Sequence, residues 1–158
     1  MSLVLVRIDD RLIHGQVVEG WLRVIQAQRI VVGSEEAASD PFQISLMKLA
    51  VPADIKVEVL GIAPLAESLK RDDWAEERVL LLLPGLKEAR RLVDAGVELP
   101  AINLGGLHDA PGRRLRTPSL SLNGEDVEDI RYLLGKKILI ETRALPGDEK
   151  ISVEVYLK

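Results

Sequence analysis

Between Arg7 and His14 the chain gathers two arginines, two aspartates and one of its two histidines. A neutral imidazole is a nucleophile near neutral pH. Arginine offers a planar fork of donors that fits phosphate oxygens. A run that reads as a helix begins at Gly15 or Gln16, directly behind the histidine. The N-terminus of a helix presents unpaired N–H groups and a positive dipole to an anion. Histidine, arginines and a helix start in one short stretch are the parts of a phosphohistidine site. The same residues also have plain structural uses. Asp9 could pair with Arg11 in a solvated loop, and His14 could cap the helix or fill a hydrogen-bond slot. No second histidine stands near enough in the chain for a metal site, and no Ser–His–Asp arrangement is evident. Neither a metal nor a cofactor is expected.

A second stretch with chemical potential is Asn103-Leu104-Gly105-Gly106, followed by His108. Paired glycines let a backbone approach a ligand closely, or simply turn. The basic run Arg113, Arg114 and Arg116 reads as a solvated loop, or as a surface for an acidic partner. Ser34-Glu35-Glu36 reads as the lead into a helix.

Short apolar runs alternate with longer amphipathic ones. Leu3–Val6, Ile30–Val32, Val57–Leu60, Val79–Leu83 and Ala101–Leu104 read as strands buried on both faces. Val17, Val18, Trp21, Leu22 and Ile25 recur at helical spacing. Ser39 or Asp40 can cap a second helix whose first turn holds Pro41 and whose apolar residues are Ile44, Met47 and Leu49. Further helices are predicted over Pro64–Lys70, over Lys87–Ala95 with a stop at Gly96, and after Asn123 or Asp126. Ser119–Leu122 and Ile138–Thr142 read as strands. Alternation over Ile151–Leu157 predicts an edge strand, paired with Ile138–Thr142 as a hairpin around Pro146-Gly147. The order predicts an α/β fold: an open, mostly parallel sheet, helices on both faces, and an antiparallel edge near the C-terminus. At 158 residues one domain, 1–158, is expected. In such sheets ligands bind beyond the carboxyl ends of the strands. Both candidate stretches follow predicted strands.

Composition narrows the classes. Hydrophobic residues are 47% and charged residues 29%, the balance of a globular chain with a full core. The net charge of -4 and only 3% aromatics speak against nucleic acid, which calls for a basic surface and stacking rings. Without cysteine, thiolate chemistry and disulfides are excluded. The longest apolar runs fall far short of a membrane span, and the first residues turn charged too soon for a secretory signal. A cytoplasmic location is expected, with any membrane role coming through a partner.

Arg7-Ile8-Asp9-Asp10-Arg11-Leu12-Ile13-His14-Gly15-Gln16-Val17, followed by Trp21, resembles the opening motif of the IIB subunits of the mannose/fructose/sorbose phosphotransferase system. The resemblance continues through Ile30–Asp40, Arg78–Gly96 and Asn103–Gly106. It implies a mostly parallel α/β fold and a phosphocarrier. In that family a phosphorylated IIA partner donates its phosphoryl group to a IIB histidine, here matched by His14, which carries it on Nδ1. The group then passes to a sugar held by the membrane subunits IIC and IID. On this pattern Arg11, with Arg7, neutralises phosphate charge, while Asp9 or Asp10 orients the imidazole or holds an arginine. The N–H groups around Gly15 and Gln16 cradle oxygens, and Asn103, Gly105 and Gly106 are further phosphate-binding residues on this pattern. A homo-oligomer is also in keeping with the family. No magnesium is called for, because arginines and backbone dipoles supply the positive field.

The chain departs from the family pattern in two places. Leu83-Pro84-Gly85-Leu86 is short and lacks the Ser, Thr or Asn common there, and the segment after Gly112 matches poorly. These departures motivate an alternative, a regulatory phosphoacceptor or interaction module that passes nothing to sugar. A nucleotide-binding domain finds no support, for want of a P-loop lysine motif or a G-x-G-x-x-G stretch.

Overall fold

A strand flanked by hydrogen-bonded neighbours on both sides, with helices on both faces, must be apolar throughout. Val79–Leu83 is such a strand, and each of its residues is buried. The computed structural model describes residues 2–157. It places that strand, β4, inside a six-stranded sheet. The strands of the chain are β1 (Leu3–Asp9), β2 (Arg29–Gly33), β3 (Lys56–Leu60), β4, β5 (Ile102–Gly106), β6 (Arg114–Thr117), β7 (Leu120–Leu122) and β8 (Ile140–Glu141). The large sheet runs β3-β2-β4-β1-β5-β8, and all its pairings are parallel. Strands β6 and β7 form a separate antiparallel hairpin.

The helices divide between the two faces. A π-helical turn, Gln16–Trp21, runs into α1 (Leu22–Ile25), and α2 (Glu35–Ala38) and α3 (Pro41–Leu49) follow β2. Val17, Leu22 and Met47 from this group pack with Ile30, Val32, Leu80 and Leu82 of the sheet. On the opposite face lie α4 (Ile62–Arg71), α5 (Leu86–Asp94) and α6 (Gly124–Gly135). Leu65, Leu86, Leu92, Ile130 and Leu133 pack there against Val6, Ile8, Val31 and Leu81. From β1 the chain steps outward to β2 and β3, then returns to β4 and crosses to β5 and β8. The chain leaving β1 therefore turns to one face, while the chains leaving its neighbours β4 and β5 turn to the other. That reversal opens a crevice at the carboxyl end of β1, where doubly wound sheets bind ligands.

Several ends are set by single residues. The Asp40 carboxylate accepts from the backbone N–H groups of Phe42 and Gln43, with Pro41 at the first helical position. Asn123 and Asp126 form a reciprocal capping box at α6. Gly96, just past α5, adopts φ +94, a left-handed conformation that suits glycine.

The C-terminus departs from expectation. Ile151–Leu157 is not an edge strand. Its pairing with β8 shrinks to one antiparallel bridge, Glu141 with Ser152. Residues Val153–Tyr156 then form a 3-10 turn, capped by the Ser152 hydroxyl, which accepts from the Glu154 N–H. Val153 is buried, and Tyr156 and Leu157 pack on the same core, whereas Val155 is exposed. Residues 153, 156 and 157 share a face of a tight turn as readily as alternating residues share a face of a strand. β8 itself is short and runs parallel to β5.

Candidate functional site

Successive residues of a strand point to opposite faces. Val6 and Ile8 enter the core beneath α5 and α6, which turns Arg7 and Asp9 toward the other face, under the π-helical turn. Both side chains are fully buried, an arrangement that needs paired charges. Arg7 Nη2 donates to Asp9 Oδ2 at 3.0 Å, and Arg7 Nη1 donates to Asn103 Oδ1 at 2.6 Å. The Arg7 guanidinium also lies 5.3 Å from the centre of the Trp21 ring. Burial lowers the Arg7 pKa from its ordinary value, against the opposing pull of Asp9.

Asp9 is the hub. Its Oδ2 is 2.8 Å from Nε2 of His14, and its Oδ1 accepts from the Arg11 backbone N–H at 3.0 Å. Burial alone would raise the Asp9 pKa. The hydrogen bonds from His14 and Arg11, with the charges of His14 and Arg7, reverse this and hold it at about 2. An ionised Asp9 accepts the proton of Nε2, an arrangement that places the lone pair of an uncharged ring on Nδ1. Among the described residues no hydrogen bond engages that Nδ1. The His14 side chain is 15% exposed, and its carbonyl accepts from the Val18 N–H as the helix begins.

The loop between Asp9 and His14 is anchored throughout. Leu12 sits in the left-handed region at φ +59, yet its side chain is buried in the core with Val17 and Leu82. Asp10 is tied to His108: it accepts from the His108 backbone N–H at 2.8 Å, and its other oxygen contacts His108 Nδ1. Arg11 is 40% exposed and donates through Nη2 to Gln16 Oε1 at 2.9 Å. Gly15 has open space around its Cα, at the start of the π-helical turn. A cleft of about 420 Å³ opens beside the loop, lined by Asp10, Leu12, Ser34, Gln43, Pro84 and Lys87 among others.

Asn103, Gly105 and Gly106 lie beneath this loop rather than in it. The two glycines belong to β5, and neither has a positive φ. Their reason is steric. A Cβ on Gly105 would stand 2.1 Å from the Arg7 guanidinium, and one on Gly106 would stand 3.2 Å from the Asp9 carboxylate. So the glycine pair makes room for the two buried charges of β1, and Asn103 holds Arg7.

Sequence reasoning missed two participants, Glu141 and Arg143, and the contacts made by two residues it had named, Trp21 and His108. Trp21 was read as a core residue and as part of the family motif; its indole N–H donates to the Ala144 carbonyl at 3.0 Å, and its ring also faces Arg143 at 5.1 Å. Glu141 accepts from Asn103 Nδ2 at 2.9 Å. Arg143 accepts from the same Nδ2 through its carbonyl at 2.9 Å. His108 ties the β5 end to Asp10. Glu141 and Arg143 close the predicted strand Ile138–Thr142, so the rule about carboxyl ends of strands was the available signal. Among the described residues no group of three or more metal-ligating side chains converges, and no helix is long and apolar enough to cross a membrane.

Comparison with known proteins agrees with this architecture. Residues 3–158 match the family model described as "PTS system sorbose subfamily IIB component". The fructose-specific EIIB component of Bacillus subtilis (strain 168) is 32% identical, over 94% of this chain and 91% of that protein. The mannose-specific EIIAB component of Escherichia coli (strain K12) is 32% identical over 97% of this chain, which spans only 47% of that longer protein. The crystal structure of the IIBSor domain of the sorbose permease from Klebsiella pneumoniae superposes with a TM-score of 0.91 at 29% identity, covering 97% of this chain and 94% of that one. With its fold and nearly its whole length matched, the chain belongs to the sorbose-subfamily IIB components of the PTS.

Proposed function

We propose that the chain is a phosphohistidine carrier, a protein-Nπ-phosphohistidine–sugar phosphotransferase, acting as one IIB domain over residues 1–158. The observation that carries this reading is the Asp9 contact with Nε2 of His14, 2.8 Å long, which leaves Nδ1 as the nucleophilic nitrogen. In the first step Nδ1 attacks the phosphorus of a phosphorylated IIA partner. The N–P bond to the donor breaks as the bond to Nδ1 forms. The ring then carries a positive charge, stabilised by ionised Asp9. In the second step a sugar hydroxyl attacks the same phosphorus, the P–Nδ1 bond breaks to return a neutral ring, and the hydroxyl proton passes to water.

Transfer of this kind depends on positioning and on positive field around the equatorial oxygens. Arg11 suits that task, since among the described residues its exposed guanidinium is held by Gln16 and a long contact to Asp9. The N–H groups at the start of the turn, near Gly15 and Gln16, supply further donors. Arg7 and Asn103 act from below, by holding Asp9. Asp10 fixes the loop through His108. Sugar would be delivered through membrane subunits IIC and IID, with this chain working at the cytoplasmic side of the permease. Fructose, mannose and sorbose all occur in the names of relatives, so the choice of sugar lies outside the residues described above.

Incubation with phosphoenolpyruvate, the general phosphotransferase enzymes and a IIA partner tests the reading by intact mass. One added, acid-labile phosphoryl group on wild type and none on His14→Ala is the expected result. An unlabelled wild type, with a IIA that labels another IIB, would overturn it in favour of a module that binds without carrying.

A further inference from the structure

A polar chain runs from the C-terminal segment to the imidazole, and its outer member is Glu141. Resting on the carrier reading of His14, we propose that Glu141 is a positioning residue for phosphoryl transfer. It fixes the amide of Asn103 and thereby Arg7, Asp9 and the tautomer of His14.

The argument starts at Asn103, which is 1% exposed. An amide has one accepting end and one donating end, and the two must face opposite partners. Its Nδ2 is 2.9 Å from Glu141 Oε1 and 2.9 Å from the Arg143 carbonyl, both pure acceptors. Its Oδ1 therefore faces Arg7 Nη1, a pure donor, at 2.6 Å. Reversed, the amide would set N–H against N–H at Arg7 and oxygen against oxygen at Glu141. Arg7, so held, delivers Nη2 to Asp9 Oδ2, the atom that meets His14 Nε2. The Asn103 amide is the directional link: reversed, it would leave buried polar atoms unsatisfied, and that is costly.

Charge balance gives Glu141 a second hold on the site. Arg7 and Arg143 flank the Trp21 ring at 5.3 and 5.1 Å, so two cations share one small region with the anions Asp9 and Glu141. Glu141 Oε2 accepts from the Arg143 backbone N–H at 2.9 Å and from its Nε at 3.2 Å, while Oε1 serves Asn103. Only a carboxylate accepts at both ends. A glutamine of the same shape must turn its NH2 either toward Asn103 or toward Arg143.

Glu141→Gln therefore keeps the volume and costs the site one of its two acceptors, at Asn103 or at Arg143. Two readouts follow it: the rate of His14 phosphorylation by a IIA donor, and the 15N shifts of the His14 ring in the unphosphorylated protein. The expected result is a rate lowered roughly tenfold, the scale of losing an outer partner that orients a histidine. The ring signals should move from a dominant Nε2–H tautomer toward a mixture. Glu141→Ala, which removes both acceptors, should move both further in the same direction. A normal rate with unchanged ring signals would overturn the proposal. So would a lowered rate with unchanged ring signals, since general loosening of the fold would then explain it. Should wild type accept no phosphoryl group, the carrier reading fails, and the ring signals alone still decide whether Glu141 sets the tautomer.

Discussion

At the scale of the residue, Asp9 takes hydrogen bonds from Arg7, from the Arg11 backbone and from His14 while wholly buried. Asp9→Asn keeps the shape but turns one acceptor into a donor. If that NH2 faces His14, Nε2 becomes the accepting nitrogen and the proton moves to Nδ1. A wrong tautomer of this kind lowers turnover by up to about 10⁴-fold. Phosphorylation measured by mass should fall steeply, and Tm should fall too, since Arg7 loses its buried counter-charge at a cost of roughly 3–5 kcal/mol. Acid titration gives an independent check. Because the folded Asp9 pKa is about 2, below its ordinary 3.8, its contribution is present above pH 4 and lost as pH falls toward 2. Wild type should lose about 2 kcal/mol across that window through this group, and Asp9→Asn should lack that component of the slope. The contacts among Arg7, Asp9, Arg11 and His14 were within reach of the sequence because these residues lie within eight positions of one another. Arg143 was not, because 136 residues separate it from Arg7 and no local spacing announces such a contact.

Elements show where sequence patterns and physical causes part. Gly105 and Gly106 stood out as a pair, and a turn or a ligand was the natural reading. Their cause lies on the neighbouring strand, in side chains that no pattern within β5 reveals. Gly105→Ala should therefore act on chemistry without touching phosphate. Its methyl group would displace the Arg7 guanidinium, destabilising the fold by about 1–3 kcal/mol. The expected readouts are a Tm lower by several degrees and phosphorylation slowed in the same sense as in Asp9→Asn. Unchanged phosphorylation would remove Arg7 from the positioning chain. Over Ile151–Leu157 the pattern was short enough to fit two periods, and the Ser152 cap decided for the turn. The capping signals at Asp40 and Asn123, by contrast, read correctly because a cap acts on its own next residues.

For the whole molecule, the alternation of apolar runs and amphipathic stretches was enough to read a parallel sheet covered on both faces. Strand order was not legible, since nothing in a run such as Val79–Leu83 says which strands will flank it. The observed order puts β4 and β1 between paired neighbours, while β8 and the hairpin β6–β7 hang on few bonds. Native-state hydrogen exchange should follow that order. Amides of β4 and β1 should open last and those of β6, β7 and β8 early; equal rates in β4 and β7 would contradict this. His14 thus stands at the end of one of the best-supported strands, on a loop pinned by Leu12, by Asp10 and by the Arg11 N–H. In the carrier reading, a nucleophile mounted so firmly does not swing from one partner to another, and donor and acceptor visit the same patch of surface in turn, each excluding the other. In the carrier reading, throughput is then governed by how quickly the spent donor lets go, and an excess of donor slows delivery instead of speeding it.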